Sequence, residues 1–181
     1  MFIATKDTKV IAIHEPEWQC RRNAKGLSKP EYWTWLESVT TEGVPDYSGE
    51  DYEIVETDSP LSYESTDENG NTRIISFYES GYITLNLEGE HYHLKWDASK
   101  KEIVKDDTAK AAWELAEEWK RIRKERTRLL AETDWVVIKA RENGGQVPTA
   151  WKTYRVALRD IPSEQSDKTK YSEITWPTRP E

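Results

Sequence analysis

The 181-residue sequence is poor in the aliphatic and phenylalanine side chains that fill most protein interiors. Leu, Ile, Val and Phe together number 33, about 18% of the chain, and the formal net charge is −8. These values approach the composition of disordered chains. Nine Trp and nine Tyr residues offset the deficit, because each buried aromatic side chain removes roughly 150–250 Å² from water. We therefore expect folded domains with small, aromatic-rich cores.

Cysteine and long apolar runs are also lacking. Cys20 is the only cysteine, so the chain cannot form an internal disulfide, and nothing in it indicates an oxidising compartment. No stretch approaches the roughly 18 apolar residues that a membrane span needs. The first residues, MFIATKDTKV, do not show the pattern of a signal peptide. The sequence therefore predicts a soluble, intracellular protein with no membrane partner.

Basic residues are scarce in the first half of the chain. Between Glu31 and Glu90 there are fifteen acidic residues and one basic residue, Arg73. A surface of this charge repels nucleic-acid phosphates, so we expect no nucleic-acid partner. The acidity is consistent with an ordinary solvated face or with a docking face for a basic protein.

Motifs for catalysis and cofactor binding are missing as well. The chain contains no GxSxG, GxxxxGK[ST] or GxGxxG sequence, and Cys20 has no recognisable partner base. His91 and His93 alternate on one predicted strand face. Glu90 and His14 are further candidate ligands, but a metal site needs three or four convergent ligands. We therefore predict no catalytic, cofactor-binding or metal-binding residues, and a protein that is not an enzyme.

Two other features allow binding roles. The basic run from Lys120 to Arg128 is interrupted by Glu125, which favours a solvated, salt-bridged helix face over a phosphate-binding one. Tryptophans can stack on sugars, although they more often fill cores and interfaces. The candidates for such a glycan platform are Trp18, Trp33, Trp35, Trp96 and Trp113.

Alternating apolar residues and turn chemistry predict a β-rich domain over residues 1–105. Its strand candidates are residues 2–3, 10–13, 52–57, 73–78, 82–87 and 91–96. The Asn69-Gly70 pair and two later glycine-containing turns separate the last four strands, so we expect an antiparallel meander. In the strand 82–87, Ile83, Leu85 and Leu87 share one face. One helix is expected in this domain, from Pro30 to Val39, because proline suits a first helical turn.

After Asp106 the apolar residues recur with the period of a helix. Leu115, Trp119, Ile122 and Leu129 share a face, which predicts a long amphipathic helix over residues 107–132. Pro148 opens a second helix over residues 148–160, and Pro162 stops it. The helices form a predicted hairpin, residues 106–162, followed by an extended segment, residues 163–181. The predicted fold class is α+β, an N-terminal antiparallel β-rich domain followed by a C-terminal helical hairpin with one long helix.

Three blocks in the last third of the chain form a more specific pattern. The first block ends with Leu129, Leu130, Thr133, Asp134 and Trp135. The second contains Trp151, Tyr154, Arg155, Leu158, Arg159, Asp160, Ile161 and Pro162. The third contains Trp176, Pro177 and Pro180. In this order, over about 55 residues, the blocks resemble the signature region of the phage tail assembly chaperone family.

The resemblance implies a phage-encoded protein that binds a tail-fibre or other tail protein and helps it fold, trimerise or attach. It implies no cofactor, and a place in the host cell cytoplasm during assembly. A structural virion component at the tail fibre, baseplate or tail tip shares every sequence feature and stays the alternative. Homo-oligomerisation remains open. Since residues 31–96 are acidic and rich in aromatic residues, our hypothesis places the partner-binding part within residues 1–105.

Most of the motif residues are expected to be structural rather than to contact a partner. We expect Trp135, Trp151, Tyr154 and Trp176 to pack the hairpin and hold the C-terminal segment. Arg155 and Arg159 are expected to pair with Asp134 and Asp160 or to bond to helix ends.

Overall fold

A computed structural model describes residues 1–86 and 89–181 of the chain. The chain divides into two compact units, Met1–Lys110 and Ala111–Glu181. Antiparallel strands dominate the first unit and helices the second. The predicted α+β class, with β-structure first and helices after it, is therefore confirmed. In these two described ranges, no helix has the length and apolar character that crossing a membrane requires.

The first unit combines one larger sheet with three small hairpins. Its elements in chain order are β1 Phe2–Lys6, β2 Lys9–His14, α1 Glu17–Ala24, α2 Lys29–Ser38, β3 Thr40–Thr41, β4 Val44–Pro45, β5 Glu53–Glu56, β6 Ser62–Thr66, β7 Thr72–Ser76, β8 Ile83–Asn86, β9 Gly89–Tyr92, β10 Leu94–Asp97 and β11 Glu102–Lys105. The five-stranded antiparallel sheet has the order β11-β10-β2-β1-β5, and the pairs β3–β4, β6–β7 and β8–β9 form two-stranded sheets.

Side chains cover both faces of the five-stranded sheet, the helix α1 packing on one face and the main core on the other. Ala4 and Ala12 are directly opposite each other on β1 and β2, and their small side chains allow α1 to approach closely. The buried Cys20 of α1 lies there, with its Sγ 3.6 Å from the Ala12 carbonyl oxygen. On the other face, Ile3 and Ile13 belong to the main core, with Phe77 and other buried side chains.

The expected antiparallel meander is wrong, although its strands exist. Glu53–Glu56 and Leu94–Asp97 are strands of the five-stranded sheet, Thr72–Ser76 pairs with β6, and Ile83–Asn86 pairs with β9. The predicted strand 91–96 is broken at His93, between β9 and β10. Leu85, predicted to share a strand face with Ile83, is 76% exposed, whereas Ile83 is buried. Leu87 and Glu88 lie outside the described residues.

The helical part contains α3 Asp107–Ala131, α4 Asp134–Glu142, α5 Thr149–Glu164 and a short 3₁₀ helix, Tyr171–Glu173. The long helix predicted over residues 107–132 is confirmed. Asp106 precedes it, and its Oδ1 accepts a hydrogen bond of 3.0 Å from the Ala109 N–H. Burial works to raise the pKa of the Asp106 carboxyl, but that bond and the ion pair with Lys95 outweigh burial and hold the pKa below its ordinary value.

Two details of the predicted hairpin are wrong. The segment between the helices contains α4, and the second helix continues to Glu164 instead of stopping at Pro162. Proline removes one hydrogen-bond donor and disfavours a helical conformation of the preceding residue. Burial of Leu158 and Ile161 in the helical core outweighs that preference, and Gln165 N–H still reaches the Ile161 carbonyl at 3.0 Å.

Candidate functional site

Arg155 joins the three helices of the C-terminal unit. It is 7% exposed, and its Nη1 donates to the Leu130 carbonyl at 2.8 Å and to Thr133 Oγ1 at 2.5 Å. Its Nη2 donates to Asp134 Oδ1 at 2.6 Å. The last carbonyls of a helix have no partner within the helix, so this guanidinium satisfies the end of α3 while holding the start of α4. The Arg155–Asp134 pairing and the bond to a helix end, both expected from the sequence, are present.

Thr133 is the second part of this junction. Its side chain is buried, at 1% exposure, and its hydroxyl lies 2.9 Å from the Leu130 carbonyl. Since a threonine hydroxyl donates one hydrogen bond and accepts others, it can donate to Leu130 and accept from Arg155. The connection between α3 and α4 is thus held by a buried hydrogen bond between Arg155 and Thr133.

Aromatic rings pack beside the junction. The rings of Trp135 and Trp151 lie 6.2 Å apart, and those of Trp151 and Tyr154 lie 6.3 Å apart, both edge to face. The Arg179 guanidinium lies 5.7 Å from the centre of the Trp151 ring. Trp135 remains 52% exposed, so part of its indole is available at the surface.

The C-terminal segment is fixed to the helices at several points. Ile174 is buried in the helical core, and Trp176 packs against the same core. The Gln165 side chain forms two bonds with Thr175, accepting from its N–H at 2.8 Å and donating to its carbonyl at 2.9 Å. At the adjacent turn, the hydrogen bond from the Thr169 N–H lowers the pKa of the Glu173 carboxyl.

The motif residues of the C-terminal unit fall into three groups: core residues, residues of the polar junction, and residues that are half-buried or exposed. Those in the core or packed against it are Leu129, Leu130, Trp151, Tyr154, Leu158, Ile161 and Trp176. Thr133, Asp134 and Arg155 form the polar junction. Asp160, Pro162 and Pro177 are half-buried, and Trp135 and Arg159 are exposed. Within residues 1–86 and 89–181, Arg159 forms no ion pair with Asp160, contrary to one of the pairings considered from the sequence.

An open groove runs between α4 and α5. Its volume is about 400 Å³, which is within the usual range for ligand sites. Val137, Ala140 and Val147 give it an apolar wall, and four basic side chains line the rest, Arg141, Lys152, Arg155 and Arg159. Sequence reasoning missed Arg141 and Lys152 because it did not predict α4, the helix that forms one side of the groove.

A second, larger groove of about 820 Å³ follows the first turns of α3 in the C-terminal unit. Trp113, Leu115 and Tyr171 are among its lining residues. Leu115, predicted to lie on the buried face of the helix, is 40% exposed there. The Glu118 carboxylate accepts a 2.6 Å bond from the Tyr171 N–H, which fixes one edge of the groove.

The features considered for chemistry belong to the first unit. His14 lies 3.6 Å from Glu90, but among the described residues no group of three or more His, Cys, Asp or Glu side chains is placed to hold a metal ion. Cys20 is buried, and burial raises the pKa of its thiol to about 11. Very little thiolate, the reactive form, therefore exists at neutral pH.

The tryptophans considered for a glycan platform belong to different helices and strands. Trp18 and Trp33 are 5.4 Å apart, and Trp35 joins them through Tyr32. Trp96 instead packs against the core of the five-stranded sheet, and Trp113 is on α3.

In the C-terminal unit, buried aromatic and polar contacts fix three helices and leave grooves and single aromatic residues at the surface. Comparison with known families agrees with the motif resemblance. Residues 119–181 match the family described as phage tail assembly chaperone protein. No curated protein matches the chain, and no solved structure matches it.

Proposed function

We propose that the protein is a phage tail or tail-fibre assembly chaperone that acts by binding another tail protein and catalyses no reaction. The observation that carries the proposal is the family match over residues 119–181. That range includes the Arg155 junction and the core residues Ile122, Leu158 and Ile174. The proposed place of action is the host cytoplasm during tail assembly.

The exposed apolar residues support a binding role. In the C-terminal unit, Trp135, Ile138 and Val156 are 52%, 55% and 43% exposed, and in the first unit Ile74 and Leu85 are 72% and 76% exposed. Tryptophan is a typical anchor of protein interfaces, and exposed apolar patches are typical of interaction sites. A chaperone of this kind would cover the apolar surface of an unassembled tail protein until that surface is buried in the assembled tail.

Co-expression with a tail-fibre protein of the same phage tests the proposal. The fibre protein is produced alone, with the full chain, or with the chain carrying Leu158→Asp, which places a charge in the helical core. We expect the intact chain to raise the yield of soluble fibre trimer, and the variant to leave it at the level of fibre alone. Equal trimer yield in all three cultures would contradict the chaperone function.

The alternative, a structural component that stays in the virion at the fibre, baseplate or tail tip, predicts a different location. Mass spectrometry of purified virions separates the two roles. A transient chaperone is expected to be absent from mature particles, whereas stoichiometric copies of this chain would favour the structural role.

A further inference from the structure

The groove between α4 and α5 concentrates positive charge that the chain itself does not neutralise. Arg155 is compensated by Asp134. In the described part of the chain, Arg141, Lys152 and Arg159 have no carboxylate within 4.0 Å, and no acidic side chain lines the groove. Like charges held at one place repel each other, and an anion that binds between them relieves the repulsion.

Several other basic side chains of the C-terminal unit have partners. Arg128 pairs with Glu125 and Glu132. The Arg121 and Lys139 cations lie over the rings of Tyr171 and Trp135. Among the described residues, Lys124 and Arg126 on α3 also have no carboxylate within 4.0 Å. The groove differs because it holds three such cations together beside an apolar wall.

The chemistry of the lining favours carboxylates. A guanidinium presents parallel N–H donors that match the two oxygens of a carboxylate, and both Arg141 and Arg159 are exposed and free to turn toward a ligand. The apolar wall of Val137, Ala140 and Val147 can pack against the aliphatic residues of a peptide. This combination fits an extended segment in which acidic and apolar residues alternate.

A phosphodiester backbone fits less well. Residues 111–181 contain 14 basic and 12 acidic side chains, so the unit is close to neutral. Nucleic-acid binding domains usually carry a strong net positive charge along one face. The groove is also small, and three unpaired cations match a few carboxylates better than a long polyanion.

We propose that the α4–α5 groove is a docking site for an acidic segment of the tail protein that this chain assists, with Arg141, Lys152 and Arg159 binding its carboxylates. The inference rests on the proposed chaperone function, and it names the chemistry of the partner. It places a contact in the C-terminal unit, in addition to any contact made by residues 1–105.

Direct binding of a peptide probe gives the first test. The probe is a short amidated peptide that alternates Glu with Val, and its control replaces every Glu with Gln. We expect the acidic peptide to shift the NMR signals of Arg141, Gly145 and Arg159, with an affinity that falls as salt rises, and we expect the Gln peptide not to bind. Absence of binding by the acidic peptide would overturn the proposal, as would binding of single-stranded DNA at this groove in its place.

Charge-removing variants of the full chain give the second test. Arg141→Gln with Arg159→Gln is expected to weaken binding of the acidic peptide at least about tenfold, because charge-assisted hydrogen bonds are lost. The matched control is Arg123→Gln with Lys124→Gln, which removes two exposed charges from α3 and should leave the affinity unchanged. Circular dichroism establishes that both variants keep the native fold. Equal affinities of the two double variants would refute the role of the groove.

The co-expression assay separates this inference from the proposed function. If the intact chain raises fibre-trimer yield and the groove variant does so equally well, the chaperone function stands and the docking site is rejected. If the intact chain has no effect on the yield, the chaperone function itself fails, whatever the peptide measurement shows.

Discussion

At the scale of single residues, the Arg155 side chain connects the three helices of the C-terminal unit through its guanidinium. Three of its donors are used by groups on α3, at the α3–α4 junction and on α4. A buried polar group that loses its partner costs about 1–3 kcal/mol. Thr133 and Leu130 both depend on this guanidinium, so its removal should affect the whole junction and not one bond.

Arg155→Ala is expected to lower the free energy of unfolding by about 2–4 kcal/mol, because two acceptors lose a donor and the aliphatic stem no longer packs. Arg155→Lys should recover only part of the loss, since one ammonium cannot reproduce the planar, three-way bonding. Urea unfolding followed by tryptophan fluorescence measures both. Arg159→Ala is the control, with an expected change within about 0.5 kcal/mol because Arg159 is exposed. A loss for Arg159→Ala as large as that for Arg155→Ala would contradict this account of the junction.

At the scale of elements, the C-terminal segment depends on Gln165. Its side-chain amide forms hydrogen bonds with both the N–H and the carbonyl of Thr175, as a neighbouring strand would in a sheet. This places Ile174 in the helical core and Trp176 beside Tyr171, with the ring centres 5.7 Å apart. Gln165, directly after α5, is thus one of the residues that fix the path of the final segment.

Gln165→Ala should therefore release that segment locally. We expect the amide of Thr175 to exchange with deuterium at least about tenfold faster, while global stability falls by only about 1 kcal/mol because these bonds lie near solvent. Hydrogen–deuterium exchange resolved by NMR measures the effect. Gln165→Glu keeps the acceptor for the Thr175 N–H and loses the donor to the Thr175 carbonyl. The Thr175 amide of this variant should therefore exchange at a rate between those of the native protein and the alanine variant. An unchanged rate in the alanine variant would show that the other contacts of the segment, among them Ile174 in the core and Trp176 packed against it, hold the segment without Gln165.

A helix or strand could be predicted from the sequence where residues within that segment determine it, and not where distant residues do. The helix α3 has a sustained apolar period over 25 residues and an acidic cap, and both are visible in the sequence. The helix α4 has nine residues, and its apolar run from Trp135 to Ile138 has no helical period. Its start is fixed by Arg155, which is distant in sequence.

Strand pairing shows the same limit. The candidate strands were found by composition and turn chemistry, but β2 pairs with β10 through Lys9 and Lys95. The residues of β2 contain no pattern that identifies a partner strand as distant in sequence as β10. For the candidate site, the motif indicated Arg155, Asp134 and Arg159, whereas Arg141 and Lys152 became visible only once α4 was in place.

At the scale of the whole molecule, each unit has its own buried clusters. The clusters that contain Ile3 and Ala4 consist of residues from Met1–Lys110, and the cluster that contains Ile122 consists of residues from Ala111–Glu181. A cluster that draws its members from one unit can stabilise that unit without the other. The family match also begins and ends within the second unit.

The fragment of residues 106–181 should therefore fold alone. It keeps the Asp106 cap of α3 and the complete cluster around Ile122, and a core of this size supplies at most roughly 3–5 kcal/mol of unfolding free energy. We expect a helical circular dichroism spectrum and a cooperative thermal transition. The same fragment with Leu158→Asp should lack that transition, because Leu158 is fully buried at the centre of the cluster. If the unsubstituted fragment also melts without cooperativity, the helical unit needs residues 1–105 to fold, and the two parts act as one.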